Sequence, residues 1–139
     1  MKKKVLFLCT GNSCRSQMAE GLLREFNSEE YEVFSAGVNP STVHPNAIEV
    51  MKEIGIDISE QKSKHVNEFT NQTFDIIITV CDNAKEYCPV FPGNAKRLNW
   101  SFFDPAEALG SQEDILKAFK KVRDQISEKI KDYFSKKAV

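Results

Sequence analysis

At 139 residues the chain is long enough for one substantial hydrophobic core and too short for two ordinary ones, so residues 1–139 are expected to form a single domain. Its 19 basic and 20 acidic residues leave a formal net charge of -1, which argues against a broad electrostatic footprint for nucleic acid or an anionic membrane. Any anion site is then a local one. Met1 to Lys4 followed by apolar Val5 to Cys9 runs too soon into polar Thr10, Gly11, Asn12 and Ser13 to make a secretory signal, and no other segment approaches membrane-spanning length. The chain reads as cytoplasmic, where thiols stay reduced and four cysteines call for a chemical explanation.

Lys4 to Thr10 is a nearly continuous apolar run, the pattern of a strand buried on both faces at the centre of a parallel sheet. Ser16 to Phe26 carries Met18, Ala19, Leu22, Leu23 and Phe26 at helical spacing. Tyr31 to Ser35 reads as a second strand, and Asn39 to Ser41 as a loop leading to a helix over Pro45 to Ile54 that Gly55 ends. Phe74 to Cys81 repeats the first strand's pattern, and Ala95 to Trp100 is a weaker fourth strand. Ile115, Phe119, Val122, Ile126, Ile130 and Phe134 mark a long closing amphipathic helix, on which Lys129, Lys131, Lys136 and Lys137 read as a solvated face. This alternation predicts an α/β fold: a four-stranded parallel sheet flanked by helices, with ligands at the carboxyl ends of the strands.

The chemically dense segment is Cys9-Thr10-Gly11-Asn12-Ser13-Cys14-Arg15-Ser16, between a buried strand and a helix. The residues Thr10 to Cys14 are able to wrap into a cradle of backbone N–H groups that meets the positive end of the helix, a shape suited to a tetrahedral oxyanion. Arg15 adds a planar fork of donors for two oxygens. The same field favours the thiolate at Cys9, since helix ends and basic neighbours bring cysteine pKa values from about 8.5 to roughly 3.5–7.5. Cys9 is therefore the candidate nucleophile. Cys14 reads equally as a small structural residue and as a participant.

A departing oxygen needs a proton, and Asp104 in Phe102-Phe103-Asp104-Pro105-Ala106 is the candidate acid, although Asp-Pro is also an ordinary turn opener. Cys81 and Cys88 flank Asp82 to Tyr87, which reads as a short helix stopped by Pro89. Seven helical steps would separate their Cα atoms by about 10.5 Å, whereas bridged cysteines lie within about 7 Å. A disulfide between them thus requires the segment to loop out, which would expose a labile bond to a reductant. Two blander readings are a structural zinc site and unrelated core thiols. The cysteine spacings lack a two-residue knuckle, and Arg15 suits anions rather than a cation, so no metal ligands are assigned.

These motifs, together with Met18-Ala19-Glu20-Gly21, Ser35-Ala36-Gly37, Gly55-Ile56-Asp57-Ile58-Ser59 and Arg123-Asp124-Gln125-Ile126, resemble the thioredoxin-coupled arsenate reductases, which share the low-molecular-weight protein tyrosine phosphatase fold. The resemblance implies no metal or organic cofactor for the chemistry. It implies that Cys9 attacks arsenate held by the loop and Arg15, that Asp104 protonates the departing oxygen, and that Ser16 hydrogen-bonds Cys9. It further implies a Cys9–Cys81 disulfide as arsenite leaves, then a Cys81–Cys88 disulfide presented to thioredoxin.

Some members of that family bind potassium through residues matching Asn12, Glu20 and Ser35 with an aspartate, whose place Lys64 takes here, so potassium activation is expected to be weak or absent. Phe103 stands where relatives often have a second acidic residue. His44 and His65 match no catalytic role and read as surface histidines. The rival enzyme is a phosphotyrosine phosphatase, disfavoured by Cys81 and Cys88 and by Ala106 in place of the usual tyrosine. A rival of another class is a phosphocysteine carrier or anion-binding redox partner without turnover, which leaves Cys81 and Cys88 idle. The chain is expected to be a monomer with no nucleic-acid or membrane partner.

Overall fold

The computed structural model describes residues 2–80 and 91–137, the last two of them as backbone only. Four strands, β1 (Lys3–Cys9), β2 (Tyr31–Gly37), β3 (Ile76–Thr79) and β4 (Lys96–Asn99), form one sheet in the order β2-β1-β3-β4, every neighbouring pair parallel. The helices are α1 (Arg15–Asn27), α2 (Pro45–Glu53) and α3 (Gln112–Lys137), with 3-10 turns η1 (Val66–Phe69) and η2 (Pro105–Glu107). The predicted four-stranded parallel sheet with flanking helices is the observed one. Among the described residues no helix is long and apolar enough to cross a membrane.

The continuous apolar run of β1 has a cause in this topology. With β2 and β3 on its two sides, β1 buries Val5, Leu6, Phe7 and Leu8 completely. Side chains alternate between the two faces of the sheet. Tyr31 and Phe7 meet Phe134 and Trp100 on the side covered by α3, whereas Phe34 meets Phe69 and Phe74 on the other. Phe119, Val122, Ile126, Ile130 and Phe134 form the buried stripe of α3, which packs against α1 and α2.

Boundaries moved where tertiary context overruled pattern. The strand predicted from Phe74 to Cys81 is realised as Ile76–Thr79, because Phe74 turns into the aromatic cluster with Phe34 and Phe91. Main-chain bonds from Asp75 N to Lys4 O and from Val80 N to Leu8 O continue the pairing by one residue at each end. The predicted helix between Cys81 and Cys88, and both of those cysteines, lie outside the described residues. β4 is mostly exposed, as an edge strand is, which explains its weak signal in the sequence.

The sheet brings the carboxyl end of β2 against the loop that follows β1. A Cβ on Gly37 would lie 2.5 Å from the Thr10 carbonyl oxygen and 2.9 Å from both Asn12 N and the Cys9 carbonyl oxygen, all of them backbone. Nothing flexible is there to yield. Gly37→Ala is expected to lower the unfolding free energy by about 1–3 kcal/mol, read from the urea midpoint at unchanged m; an unchanged midpoint would show that β2 and the loop separate freely.

Candidate active site

The loop from Cys9 to Ser16 leaves the centre of the sheet and enters α1. Its polarity is set by where its carbonyls go. Thr10 O accepts from Asn39 N at 2.8 Å, Gly11 O from Ser41 N at 3.0 Å, and Ser13 O from His44 N at 3.0 Å. Asn12 O accepts from Gln17 Nε2 at 3.0 Å and from Ser63 Oγ at 2.6 Å. Four successive carbonyls thus bond to donors outside the loop. In a trans peptide the N–H points opposite to the C=O, so the amides of Gly11, Asn12, Ser13 and Cys14 are turned toward the loop's interior. A concave row of inward N–H groups is an anion-binding geometry.

Asn12 is the pivot of this loop. It is fully buried and has φ +48°, the left-handed region that asparagine tolerates better than most residues. Its Oδ1 accepts from Lys64 N at 2.8 Å, which directs its Nδ2 to Ser16 Oγ, also at 2.8 Å. A main-chain N–H only donates, so the amide orientation is unambiguous. Ser16 Oγ, with Asn12 on its acceptor side, keeps its own proton to donate.

Arg15 opens α1 and reaches over the loop. Its Nη1 donates to Phe102 O at 3.1 Å, and its Nη2 lies 3.4 Å from Asp104 Oδ2. Its Nε is buried with no hydrogen-bond partner among the described residues. Such a donor is costly unless something meets it. α1 begins with neither an acidic residue in its first turn nor a capping side chain from Cys14, so its first N–H groups also face the loop uncompensated. The turn-opener reading of Asp104 is realised, Oδ1 accepting from Ala106 N at 3.0 Å at the start of η2, while Oδ2 faces Arg15.

The two thiols of the loop are both buried. Burial pushes the Cys14 thiol up to about 11, an effect that the nearby Ser13 hydroxyl and Arg15 only partly oppose. Cys14 is therefore a neutral thiol at physiological pH.

Beneath the loop, Glu20 on α1 is buried against Ser35 Oγ at 2.5 Å and Arg24 Nη2 at 2.6 Å, with the Lys64 ammonium 3.7 Å from Oε1. A fixed ammonium already stands beside the carboxylate that a potassium ion would need, so these residues do not fit that ion. No group of three or more His, Cys, Asp or Glu among the described residues is placed to hold a metal.

Several contributors to the site escape sequence reasoning. Gln17 and Ser63 hold the Asn12 carbonyl although neither belongs to a motif. His44 and His65 are not idle surface residues: each accepts through Nδ1 from the amide two residues on, His44 from Asn46 N at 3.1 Å and His65 from Asn67 N at 3.0 Å, and so caps α2 and η1 respectively. A histidine before Pro-Asn or Val-Asn was the available signal, but histidine is not an ordinary capping residue.

Sequence comparison agrees with this geometry. The family profile of the low molecular weight phosphotyrosine protein phosphatases matches residues 4–139, and the chain belongs to that family. Within it, the chain is 48% identical over 132 residues to an arsenate reductase of Halalkalibacterium halodurans, covering 95% of each sequence. Its fold superposes on a solved arsenate reductase in its oxidized state with a TM-score of 0.83 at 34% identity, covering 96% of this chain and 98% of the other. A thioredoxin-dependent arsenate reductase of Corynebacterium glutamicum gives a TM-score of 0.64 at 28% identity, over 94% of this chain and 62% of that one.

The elevated Cys14 pKa has a chemical consequence. With iodoacetamide at pH 7.5, peptide mapping is expected to show Cys14 alkylated about two orders of magnitude more slowly than an ordinary thiol of pKa about 8.5, with the rate rising tenfold per pH unit toward pH 11. Rapid labelling of Cys14 at neutral pH would contradict its neutral state.

Proposed function

We propose that this chain is an arsenate reductase working through a cysteine relay. The observation that supports it best is the Arg15 guanidinium, whose buried Nε has no hydrogen-bond partner among the described residues, beside a loop with four carbonyls turned outward. A tetrahedral oxyanion satisfies that Nε, the inward amides and the start of α1 together. The similarity to arsenate reductases across nearly the whole chain selects arsenate among such anions.

In this reading the Cys9 thiolate attacks arsenic while Asp104 gives its proton to the departing oxygen, which leaves as water, and a Cys9–arsenic bond forms. Ser16 donates its remaining proton to the Cys9 sulfur and steadies the thiolate. Cys81 then attacks the Cys9 sulfur. The electron pair of the sulfur–arsenic bond passes to arsenic, which departs as arsenite, and a Cys9–Cys81 disulfide remains. Cys88 attacks Cys81 and restores the Cys9 thiolate; a thioredoxin dithiol finally reduces the Cys81–Cys88 disulfide. The thioredoxin-dependent relative supports the choice of reductant. No metal or organic cofactor enters the scheme.

The decisive assay couples arsenate to oxidation of a reduced nicotinamide cofactor through thioredoxin reductase and thioredoxin. Wild type is expected to turn over, and Cys9→Ser, Cys81→Ser and Cys88→Ser each to lose multiple turnover. Of the three, Cys88→Ser retains a single stoichiometric release of arsenite. An inactive wild type that hydrolyses aryl phosphates robustly would instead identify a phosphatase. Replacing sodium by potassium at constant ionic strength is expected to leave kcat/KM within about twofold, since the Lys64 ammonium stands in for the ion; strong potassium stimulation would overturn that assignment.

A further inference from the structure

The peptide groups that turn the loop's amides inward are not all held alike. Those of Thr10, Gly11 and Ser13 are held by main-chain donors, Asn39, Ser41 and His44. The Asn12–Ser13 peptide, which follows the one left-handed residue of the loop, has its carbonyl held by the Gln17 and Ser63 side chains. A peptide plane is able to rotate between its two flanking Cα atoms without breaking a covalent bond, and here such a rotation would replace an inward N–H by an inward C=O. Facing an oxyanion, that exchange turns attraction into repulsion.

We infer that Gln17 and Ser63 are positioning residues that lock the Asn12–Ser13 peptide with its N–H toward the oxyanion. The inference rests on the oxyanion-binding reading of the loop.

The lock has a built-in direction. Arg24 Nη1, an obligate donor, bonds Gln61 Oε1 at 3.2 Å, so the Gln61 amide must present its Nε2 to Gln17. That Nε2 bonds Gln17 Oε1 at 2.7 Å and Gln17 O at 3.1 Å. Gln17 is then obliged to present its own Nε2 to Lys62 O, at 2.9 Å, and to Asn12 O. A guanidinium about two turns farther along α1 thus dictates which end of a fully buried amide meets the loop. Ser63 adds the second donor from the segment that also presents Lys64 N to the Asn12 side chain.

The test titrates reduced, isotope-labelled protein with inorganic phosphate, which needs no reductant, and follows the Ser13 amide by NMR. In wild type the Ser13 N–H is expected to move downfield on binding. Ser63→Ala and Gln17→Met, each removing one neutral hydrogen bond to the carbonyl, are expected to weaken phosphate binding about three- to tenfold, and together to abolish the Ser13 shift. Ser63→Thr, which keeps the hydroxyl, is expected to restore wild-type binding. In the arsenate assay the single variants raise KM with kcat less affected. The inference fails if Ser63→Ala and Gln17→Met, folded with a near-native Tm, bind phosphate as wild type does with the Ser13 shift intact. It fails also if Ser63→Thr behaves like Ser63→Ala. Absence of any phosphate-dependent shift in wild type would instead remove the oxyanion reading, and this inference with it.

Discussion

The structure depends on one constraint: a buried loop whose peptide groups all have to face the same way. A loop of this kind is unstable on its own, because inward N–H groups repel one another and outward carbonyls need partners in a place with little water. The rest of the architecture supplies those partners. The β2–α2 connection gives Asn39, Ser41 and His44, and the stretch before η1 gives Ser63 and Lys64. The parallel sheet matters functionally because it delivers both connections to the carboxyl end of β1.

The same arrangement explains the distribution of charge. A chain with net charge -1 has no general attraction for anions, yet the loop gathers a guanidinium, a helix start and a row of amides at one point. Asp104 lies against Arg15 and limits the excess of positive charge there. Glu20 is bonded to Ser35 and paired with Arg24 and Lys64, so a buried carboxylate below the loop is compensated rather than left unpaired.

Much of this could be read from the residues. The Val5 to Leu8 run announced a central strand because burial on both faces removes any need for polar alternation. The order strand, Cys9, Gly11-Asn12, Arg15, helix marked the loop as the chemically dense segment, and the structure places it between β1 and α1 as that order implied. What stayed hidden was contributed by residues remote in sequence and ordinary in type. Nothing in Ser63 or Gln61 distinguishes it from a surface polar residue until the fold sets it 51 or 44 residues away against Asn12 and Gln17. The histidine caps were hidden for the opposite reason: histidine invites a catalytic or surface reading and rarely suggests a turn. Phe74 misled the strand boundary because its apolar character serves an aromatic cluster rather than the ladder.

The protonated state of Cys14 bears on how the relay proposed above would run. Thiol–disulfide exchange proceeds through thiolates, and a thiol with a pKa of about 11 is ionised to only roughly one part in ten thousand at pH 7. The thiol nearest to Cys9 in sequence is thereby silenced as an attacking group. In the relay proposed above, electrons that reach Cys9 come from farther along the chain, and a short circuit within the loop is kept slow chiefly by burial.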